Sequence, residues 1–143
     1  MVRVMASGVF DILHTGHISY LEQARAMGDE LVVVVACDDT VRKRKHEPVT
    51  PEAMRAQIIN SLKPVDRTVI GNVGDMFRTI EEIRPDIIVL GFDQMFDVNE
   101  LKAELEKRGM NVDVRRASEC GADLTGTRRI IDRIIKEFGD DGR

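Results

Sequence analysis

Short apolar segments alternate with amphipathic segments along the whole chain. Runs of valine, isoleucine and leucine are typical of strands that are buried on both faces of a parallel sheet. The segments between them have apolar residues at helical spacing, so the pattern predicts an α/β doubly wound sheet of five parallel strands, in the order 3-2-1-4-5. The predicted strands are 2–6, 31–36, 68–70, 87–91 and 112–114.

Capping and turn residues predict where the first helices start and end. The first helix is expected over 18–27, with Gly28 in the left-handed position that follows a last turn. Thr50 is a good N-cap and Pro51 fits the first helical position, so they predict a helix that reaches about residue 62. The apolar face expected for this helix is Met54, Ile58, Ile59 and Leu62.

The C-terminal segment predicts a last helix that ends at Phe138. Thr125 or Thr127 can cap its start, and its hydroxyls and free N–H groups would suit a phosphate. Residues 139–143 are expected to form a frayed tail, so the chain is predicted to be one domain over 1–138. The predicted apolar face is Ile130, Ile131, Ile134, Ile135 and Phe138.

Composition excludes several classes of function. The formal net charge of −4 over 143 residues gives no electrostatic case for nucleic-acid or membrane binding. No apolar run approaches the roughly 20 residues of a membrane span, and no signal-peptide pattern opens the chain. Cys37 and Cys120 have neither metal-site spacing nor a disulfide framework around them. We therefore expect a cytoplasmic protein.

Candidate functional residues cluster in residues 8–17, at the turn from the first strand into the first helix. The sequence there is Gly-Val-Phe-Asp-Ile-Leu-His-Thr-Gly-His. A helix start presents free N–H groups and the positive end of a dipole, which favours an anion such as phosphate. Gly16 allows a ligand to approach the backbone closely. His14 and His17 can donate hydrogen bonds to phosphate oxygens and stabilise developing charge.

Two further segments are expected at the same edge of the sheet. The second strand is followed by Val-Arg-Lys-Arg-Lys-His over 41–46, predicted as a loop whose basic residues would cover a triphosphate. A solvated charged face is the alternative for this basic cluster. The fourth strand is followed by Asp93 and Gln94, which are also candidates for ligand binding.

Two absent motifs limit the classes of reaction that we expect of this chain. No Gly-x-Gly-x-x-Gly follows the first strand, which argues against hydride transfer, and no Walker-type sequence is present. Cationic and hydrogen-bonding groups without a paired nucleophile suit direct in-line attack on the α-phosphate of a nucleoside triphosphate. Mg²⁺ is expected on that triphosphate, ligated mostly by phosphate and water. Asp11 is a candidate for positioning the acceptor or the metal, with a capping or structural role as the alternative.

The pattern Gly-x-Phe-Asp-x-Leu-His-x-Gly-His resembles the signature of the cytidylyltransferase-like nucleotidyltransferases, which have the HUP-type fold. These include glycerol-3-phosphate cytidylyltransferase, phosphopantetheine adenylyltransferase and the archaeal type of FAD synthase. The resemblance implies that His14, His17 and Lys45 are catalytic, and that Asp11, Asp38 and Gln94 bind the acceptor. The further nucleotide-binding residues it implies are Gly8, Val9, Phe10, Lys43, Arg55, Asp93, Thr125, Thr127 and Arg128.

Within this superfamily the chain most resembles the archaeal FAD synthases. The similarity lies in Gly-Asp-Glu-Leu over 28–31, Leu-Lys-Pro-Val-Asp over 62–66, Arg-Pro-Asp-Ile-Ile over 84–88 and the Gly-x-Asp-Gln run over 91–94. It implies transfer of AMP from ATP to FMN, with FAD and pyrophosphate as products. It also implies a homodimer.

Three alternatives stay open at this point. One is a CTP-dependent enzyme that acts on glycerol phosphate or a related polyol phosphate, and another is phosphopantetheine adenylyltransferase. The third is a non-catalytic nucleotide-binding module. The chain departs from the Ser/Thr-rich superfamily motif before the last helix, where Gly126 replaces a hydroxyl residue and Arg128 and Arg129 follow. Which of these two arginines meets a phosphate is therefore open.

Overall fold

The structure is a computed structural model that describes residues 1–44, 46–121 and 126–139. The predictions made for Lys45, for Thr125 and for the tail residues 140–143 lie outside the described residues. Within the described ranges, no helix has the length and apolar character needed to cross a membrane.

The described strands form one parallel sheet in the order β3-β2-β1-β4-β5, which confirms the predicted topology. The central strand β1 pairs with β2 on one side, where Val4 lies beside Leu31, and with β4 on the other, where Val4 lies beside Ile87. The strands are β1 (Arg3–Gly8), β2 (Glu30–Val35), β3 (Arg67–Ile70), β4 (Ile87–Leu90) and β5 (Asp113–Arg116).

Helices cover both faces of the sheet, and the pleat of the strands divides the core between them. In β1, Val4 and Ala6 pack against α1 and α3, whereas Met5 faces α4 and α5. Both sets are buried because the side chains of a strand alternate between the two faces. The helices are α1 (Thr15–Arg25), α2 (Asp38–Arg44), α3 (Glu52–Asn60), α4 (Met76–Ile83), α5 (Val98–Lys107) and α6 (Thr127–Phe138).

The basic segment after β2 is a helix, not the predicted loop. Helix α2 has Asp38 and Asp39 in its first turn and basic residues in its last turn, an arrangement that complements the helix dipole. Val41 is its buried side chain. The apolar periodicity that identifies longer helices is absent from so short a segment.

Gly28 is required for packing and not for a left-handed turn. Helix α1 ends at Arg25 with Ala26 as a right-handed C-cap, and Gly28 is not among the glycines with a positive φ angle, so the predicted left-handed cap is wrong. A Cβ atom at Gly28 would lie 2.7 Å from Cγ2 of Val4 and 2.8 Å from the carbonyl oxygen of Val2. The absence of a side chain therefore lets the turn before β2 approach β1.

Two other helices differ from the prediction at their starts and faces. Pro51, not Thr50, is the N-cap of α3, and it makes no side-chain capping bond. Met54 and Ile58 are exposed instead of forming an inner face. Gly126 is the N-cap of α6, and within Thr127–Phe138 no residue is buried. The apolar side chains of Ile134, Ile135 and Phe138 are about half exposed.

Candidate functional site

The loop that leaves β1 has a strained backbone at two residues. Phe10 and Ile12 have φ angles of 55° and 56°, in the left-handed region that side chains other than glycine rarely adopt. Phe10 is buried against the rings of His17 and Tyr20. A Cβ atom at Gly8 would lie 3.0 Å from the Phe10 ring, so a glycine there gives the ring its room. Strain of this kind is often kept at functional sites.

His14 and His17 together start helix α1. Nδ1 of His14 accepts a hydrogen bond from the backbone N–H of Gly16 at 3.0 Å, and Nδ1 of His17 accepts from the backbone N–H of His14 at 3.2 Å. This is a reciprocal capping box made by two imidazoles. Since both Nδ1 atoms are acceptors, each neutral ring carries its proton on Nε2. Among the described residues neither Nε2 atom has a hydrogen-bond partner, so each Nε2–H group is a candidate donor to a ligand.

The environment keeps this histidine pair neutral. The ring centroids of His14 and His17 are 3.7 Å apart. Burial, assisted by repulsion from His14, lowers the pKa of His17 to about 4. Burial also lowers the pKa of His14, although the negative charge of Asp93 acts in the opposite direction and raises it. At neutral pH the free protein therefore presents two uncharged donors, whose pKa values an anionic ligand would raise.

Asp11 holds the loop before α3 against the loop after β1. Its carboxylate accepts hydrogen bonds from the backbone N–H of Val49 at 2.7 Å, the backbone N–H of Thr50 at 3.0 Å and the Thr50 hydroxyl at 2.7 Å. Burial alone would raise the pKa of Asp11, but these bonds and the nearby Arg55 charge outweigh it and lower the pKa. The structure favours the structural role for Asp11 over contact with an acceptor.

Arg55 lies inside the protein beneath this edge of the sheet, and its side chain is fully buried. Its N–H groups donate to the carbonyls of Val9, Ala36 and Thr50 at 2.7 to 2.9 Å, and Nη2 donates to the Asp38 carboxylate at 2.6 Å. Four of its five N–H donors are thus engaged within the chain. In the described structure Arg55 and Asp38 pair with each other, and the phosphate contact predicted for Arg55 and the acceptor contact predicted for Asp38 stay predictions.

The loop after β4 is fixed from both sides. The Gln94 side chain accepts from the backbone N–H of Gly91 and donates to the carbonyl of Ser7, at the end of β1. Arg116, at the end of β5, donates to the carbonyls of Gly91, Gln94 and Phe96. Gln94 therefore positions the loop, while Asp93 remains exposed on it and acts electrostatically on His14.

Helix α6 contacts the loop after β1 through the hydroxyl of its first residue, Thr127. Thr127 Oγ1 donates to the carbonyl of Asp11 at 2.7 Å, which ties the start of the helix to the loop after β1. Arg128 is exposed and pairs with Asp132 on its own helix. Lys43 is exposed on α2. The structure thus brings Thr127 to the histidine loop and leaves Arg128 and Lys43 on the surface, so their predicted phosphate contacts stay predictions.

Three residues that support the site were not predicted. The Tyr20 hydroxyl accepts from the N–H of Ser7 and donates to the carbonyl of Val89, so it joins β1 to β4. Glu52 accepts from the N–H of Asp38. Arg116 is the third. Tyr20 is the single tyrosine of the chain and lies in an amphipathic helix, so its position could have indicated a role near the site. Nothing in the sequence distinguishes Arg116 from its neighbour Arg115.

The arrangement suits an anionic ligand at the carboxyl edge of the sheet. Helix α1 presents N–H groups and two imidazole donors there, and α2 carries basic side chains beside it. Among residues 1–44, 46–121 and 126–139, no group of three or more His, Cys, Asp or Glu residues could hold a metal ion.

Comparison with known families agrees with this geometry. Residues 5–138 match the family model described as cytidylyltransferase-like. The chain belongs to the cytidylyltransferase-like family. This membership confirms the resemblance drawn from residues 8–17.

Relatives in this family are highly similar over the full chain. Identity to the FAD synthase of Aciduliprofundum boonei is 55% over 141 residues, which cover 98% of this chain and 95% of that protein. Identity to the FAD synthase of Methanothrix thermoacetophila is 52%, covering 96% of each chain. The crystal structure of a protein from Thermoplasma volcanium, described as a lipopolysaccharide core biosynthesis protein, superposes with a TM-score of 0.83 at 51% identity and covers 84% of this chain and 98% of that one.

Proposed function

We propose that this protein is an FAD synthase, which transfers AMP from ATP to FMN and releases pyrophosphate. The observation that carries the proposal is the pair of imidazoles of His14 and His17 at the start of α1, whose Nδ1 atoms cap the helix and leave Nε2–H as the donor of each neutral ring, in a chain about half identical to FAD synthases over nearly its full length. Both the donors and the helix start favour a phosphate group.

The reaction follows from this placement without a covalent enzyme intermediate. An oxygen of the FMN phosphate attacks the α-phosphorus of ATP in line, the bond from that phosphorus to the bridging oxygen breaks, and pyrophosphate leaves. His14 and His17 donate to the α-phosphate oxygens as their charge grows. Lys43, Lys45, Thr125, Thr127 and Arg128 are proposed to hold the leaving phosphates, and Gly8, Val9, Phe10 and Asp93 to line the nucleotide. Mg²⁺ is proposed to enter with ATP.

A second copy of the chain is part of the proposal. The exposed apolar face of α6, formed by Ile134, Ile135 and Phe138, supports a homodimer because burial of such a face is favourable. An Ile135→Glu variant should be monomeric in sedimentation velocity where the unmodified protein is a dimer. A single sedimenting species of monomer mass in both proteins would contradict this part of the proposal. A cytoplasmic location remains a prediction.

Product analysis tests the main proposal. The protein is incubated with Mg²⁺ and each pair of ATP or CTP with FMN or glycerol 3-phosphate, and pyrophosphate release and products are followed by chromatography. FAD from ATP and FMN is the expected product. A CDP-linked product without FAD would instead support the polyol-phosphate alternative. Pyrophosphate from none of the pairs would contradict both.

A further inference from the structure

One aromatic residue of the loop after β1 packs against two ring-bearing residues of α1. The rings of Phe10 and His17 meet edge to face with their centroids 5.3 Å apart, and the rings of Phe10 and Tyr20 stack with their centroids 6.4 Å apart. Both distances lie in the range in which aromatic pairs attract each other. His17 and Tyr20 are three positions apart on α1, so they share one side of the helix, and the Phe10 ring packs against that side.

The backbone of Phe10 is held in a conformation that its residue type disfavours. Its φ angle of 55° lies in the left-handed region, which costs free energy for any residue with a Cβ atom. Such a conformation persists only when the surrounding contacts outweigh its cost. The side chain of Phe10 makes those contacts, because it is buried in the core cluster that also contains Tyr20 and Leu21. Packing of the ring therefore fixes the turn from which the chain enters α1.

The Tyr20 end of this stack is anchored to the sheet. The Tyr20 hydroxyl accepts a hydrogen bond from the backbone N–H of Ser7 and donates one to the carbonyl of Val89, so it is fixed to β1 and β4 at once. The Phe10 ring also approaches the backbone of Gly8 closely, since a Cβ atom there would lie 3.0 Å from it. The position of the Phe10 ring is therefore set by the central strands of the sheet.

The orientation of His17 depends on few contacts. Its Nδ1 accepts one hydrogen bond, from the backbone N–H of His14, at 3.2 Å, which is the upper end of the usual range. A single bond of this length allows the imidazole to tilt. The rings of His14 and Phe10 pack against it with centroids at 3.7 Å and 5.3 Å and limit that movement. The direction of the Nε2–H group of His17 therefore depends on Phe10.

We propose that the Phe10 side chain is a positioning residue for His17, which holds the imidazole so that its Nε2–H group meets the α-phosphate. This inference rests on the proposed function and adds to it a side chain that acts through His17. Phe10 is 5% exposed, so its ring has almost no surface to offer a nucleotide, and its backbone alone is left to line one. Placement of this kind matters, since a displacement of about 1 Å can cost about 100-fold in rate.

A double-mutant cycle separates positioning from direct contact with the ligand. The variants are Phe10→Leu, which removes the aromatic edge but keeps an apolar side chain, His17→Gln, and the two together. Phe10→Met replaces Phe10→Leu should the branched side chain prevent folding. Ile80→Val is the matched control for a small loss of packing, because Ile80 is fully buried on the opposite face of the sheet.

Steady-state FAD formation is measured with FMN and ATP varied separately. Phe10→Leu should lower kcat about 10- to 100-fold and leave both KM values within about threefold of the unmodified values. In the His17→Gln background the same substitution should change kcat by less than about twofold, because the group that Phe10 positions is absent. Ile80→Val should keep the kcat of the unmodified protein.

Amide hydrogen exchange, followed by NMR, gives a second measurement that needs no turnover. The backbone N–H of His14 bonds to the His17 ring, whereas the backbone N–H of Gly16 bonds to the His14 ring. Displacement of His17 in Phe10→Leu should therefore speed exchange at His14 about tenfold and leave exchange at Gly16 within about twofold. A general loss of stability would speed exchange at both amides alike.

Four results would decide against the proposal or against the function on which it rests. Equal kcat losses from Phe10→Leu with and without His17 would give the ring a role independent of His17. A rise in the KM for ATP alone would place the ring at the nucleotide. Equal exchange changes at His14 and Gly16 would leave Phe10 a purely structural residue. Absence of FAD formation by the unmodified protein would refute the proposed function, and the exchange rates alone would then decide whether Phe10 positions His17.

Discussion

The guanidinium of Arg55 lies 2.6 Å from the carboxylate of Asp38, and the arginine side chain has no exposure to solvent. The same guanidinium donates hydrogen bonds to carbonyls in the loops that follow β1 and β2 and in the loop that precedes α3. Burial of a charge is costly unless it is paired and hydrogen-bonded. Arg55 meets both conditions, so it acts as the internal support of the candidate site.

Replacement of Arg55 by methionine should destabilise the protein strongly. The variant leaves the carbonyls of Val9 and Ala36 without their donors and Asp38 without its partner, so a loss of about 3 to 5 kcal/mol is expected. Urea unfolding followed by circular dichroism measures it. Arg78→Met is the control, because the Arg78–Glu82 pair is exposed and should contribute less than about 1 kcal/mol. Equal losses in the two variants would refute the supporting role of Arg55.

Replacement of His17 by glutamine should abolish most turnover while ATP binding persists. The variant loses a donor that acts on developing charge, so kcat should fall about 10²- to 10⁴-fold. Pyrophosphate release measures kcat, and calorimetric titration measures the Kd for ATP. His46→Gln is the control, since His46 is exposed on the loop before α3. A His17→Gln protein with full turnover would refute the catalytic role of His17.

Stability should depend on pH through His17 in a defined window. Burial lowers its pKa from 6.5 to about 4, so between those values the unfolded chain binds a proton that the folded protein does not. The contribution of His17 to the free energy of unfolding is therefore fully present above pH 6.5 and is lost as the pH falls towards 4. Relative to His17→Gln, the unmodified protein should lose roughly 2 to 3 kcal/mol across this window. Parallel pH profiles of the two proteins would contradict the shift.

Arg116 should affect activity through the loop after β4. Its replacement by alanine frees the carbonyls of Gly91, Gln94 and Phe96, so we expect about 1 to 2 kcal/mol less stability and about a tenfold lower kcat/KM for FMN. Arg115→Ala is a close control, because Arg115 bonds to Asp113 at the surface. Similar kinetics for both variants would show that the loop keeps its position without Arg116.

Local pattern was enough to predict the framework of the fold. Apolar runs such as 31–36 and 87–90 predicted the strands, and the position of the first crossover helix followed from the residues after β1. The helix start and the family resemblance together predicted that His14 and His17 donate to a phosphate, and this role stays a prediction. Helix α2 was missed because seven residues with one buried side chain carry no periodic signal.

Contacts distant in sequence set the details that pattern could not give. The family resemblance implied a ligand contact for Arg55, and no local pattern could show that its internal partners come from loops as far as 46 residues away. Asp11 likewise accepts hydrogen bonds from Val49 and Thr50, which lie 38 and 39 positions later in the chain. The roles of such residues depend on which loops meet at the edge of the sheet, and that is decided only by the assembled fold.

The hydrogen bond from Thr127 to Asp11 spans 116 positions of the chain. During synthesis the loop after β1 leaves the ribosome well before Thr127, which lies 116 positions later in the chain. A nascent chain that stops before α6 can pair its strands but lacks this bond. We therefore expect the complete site to capture nucleotide only after α6 has been synthesised, and a product truncated before α6 to fold its sheet without competing for substrate.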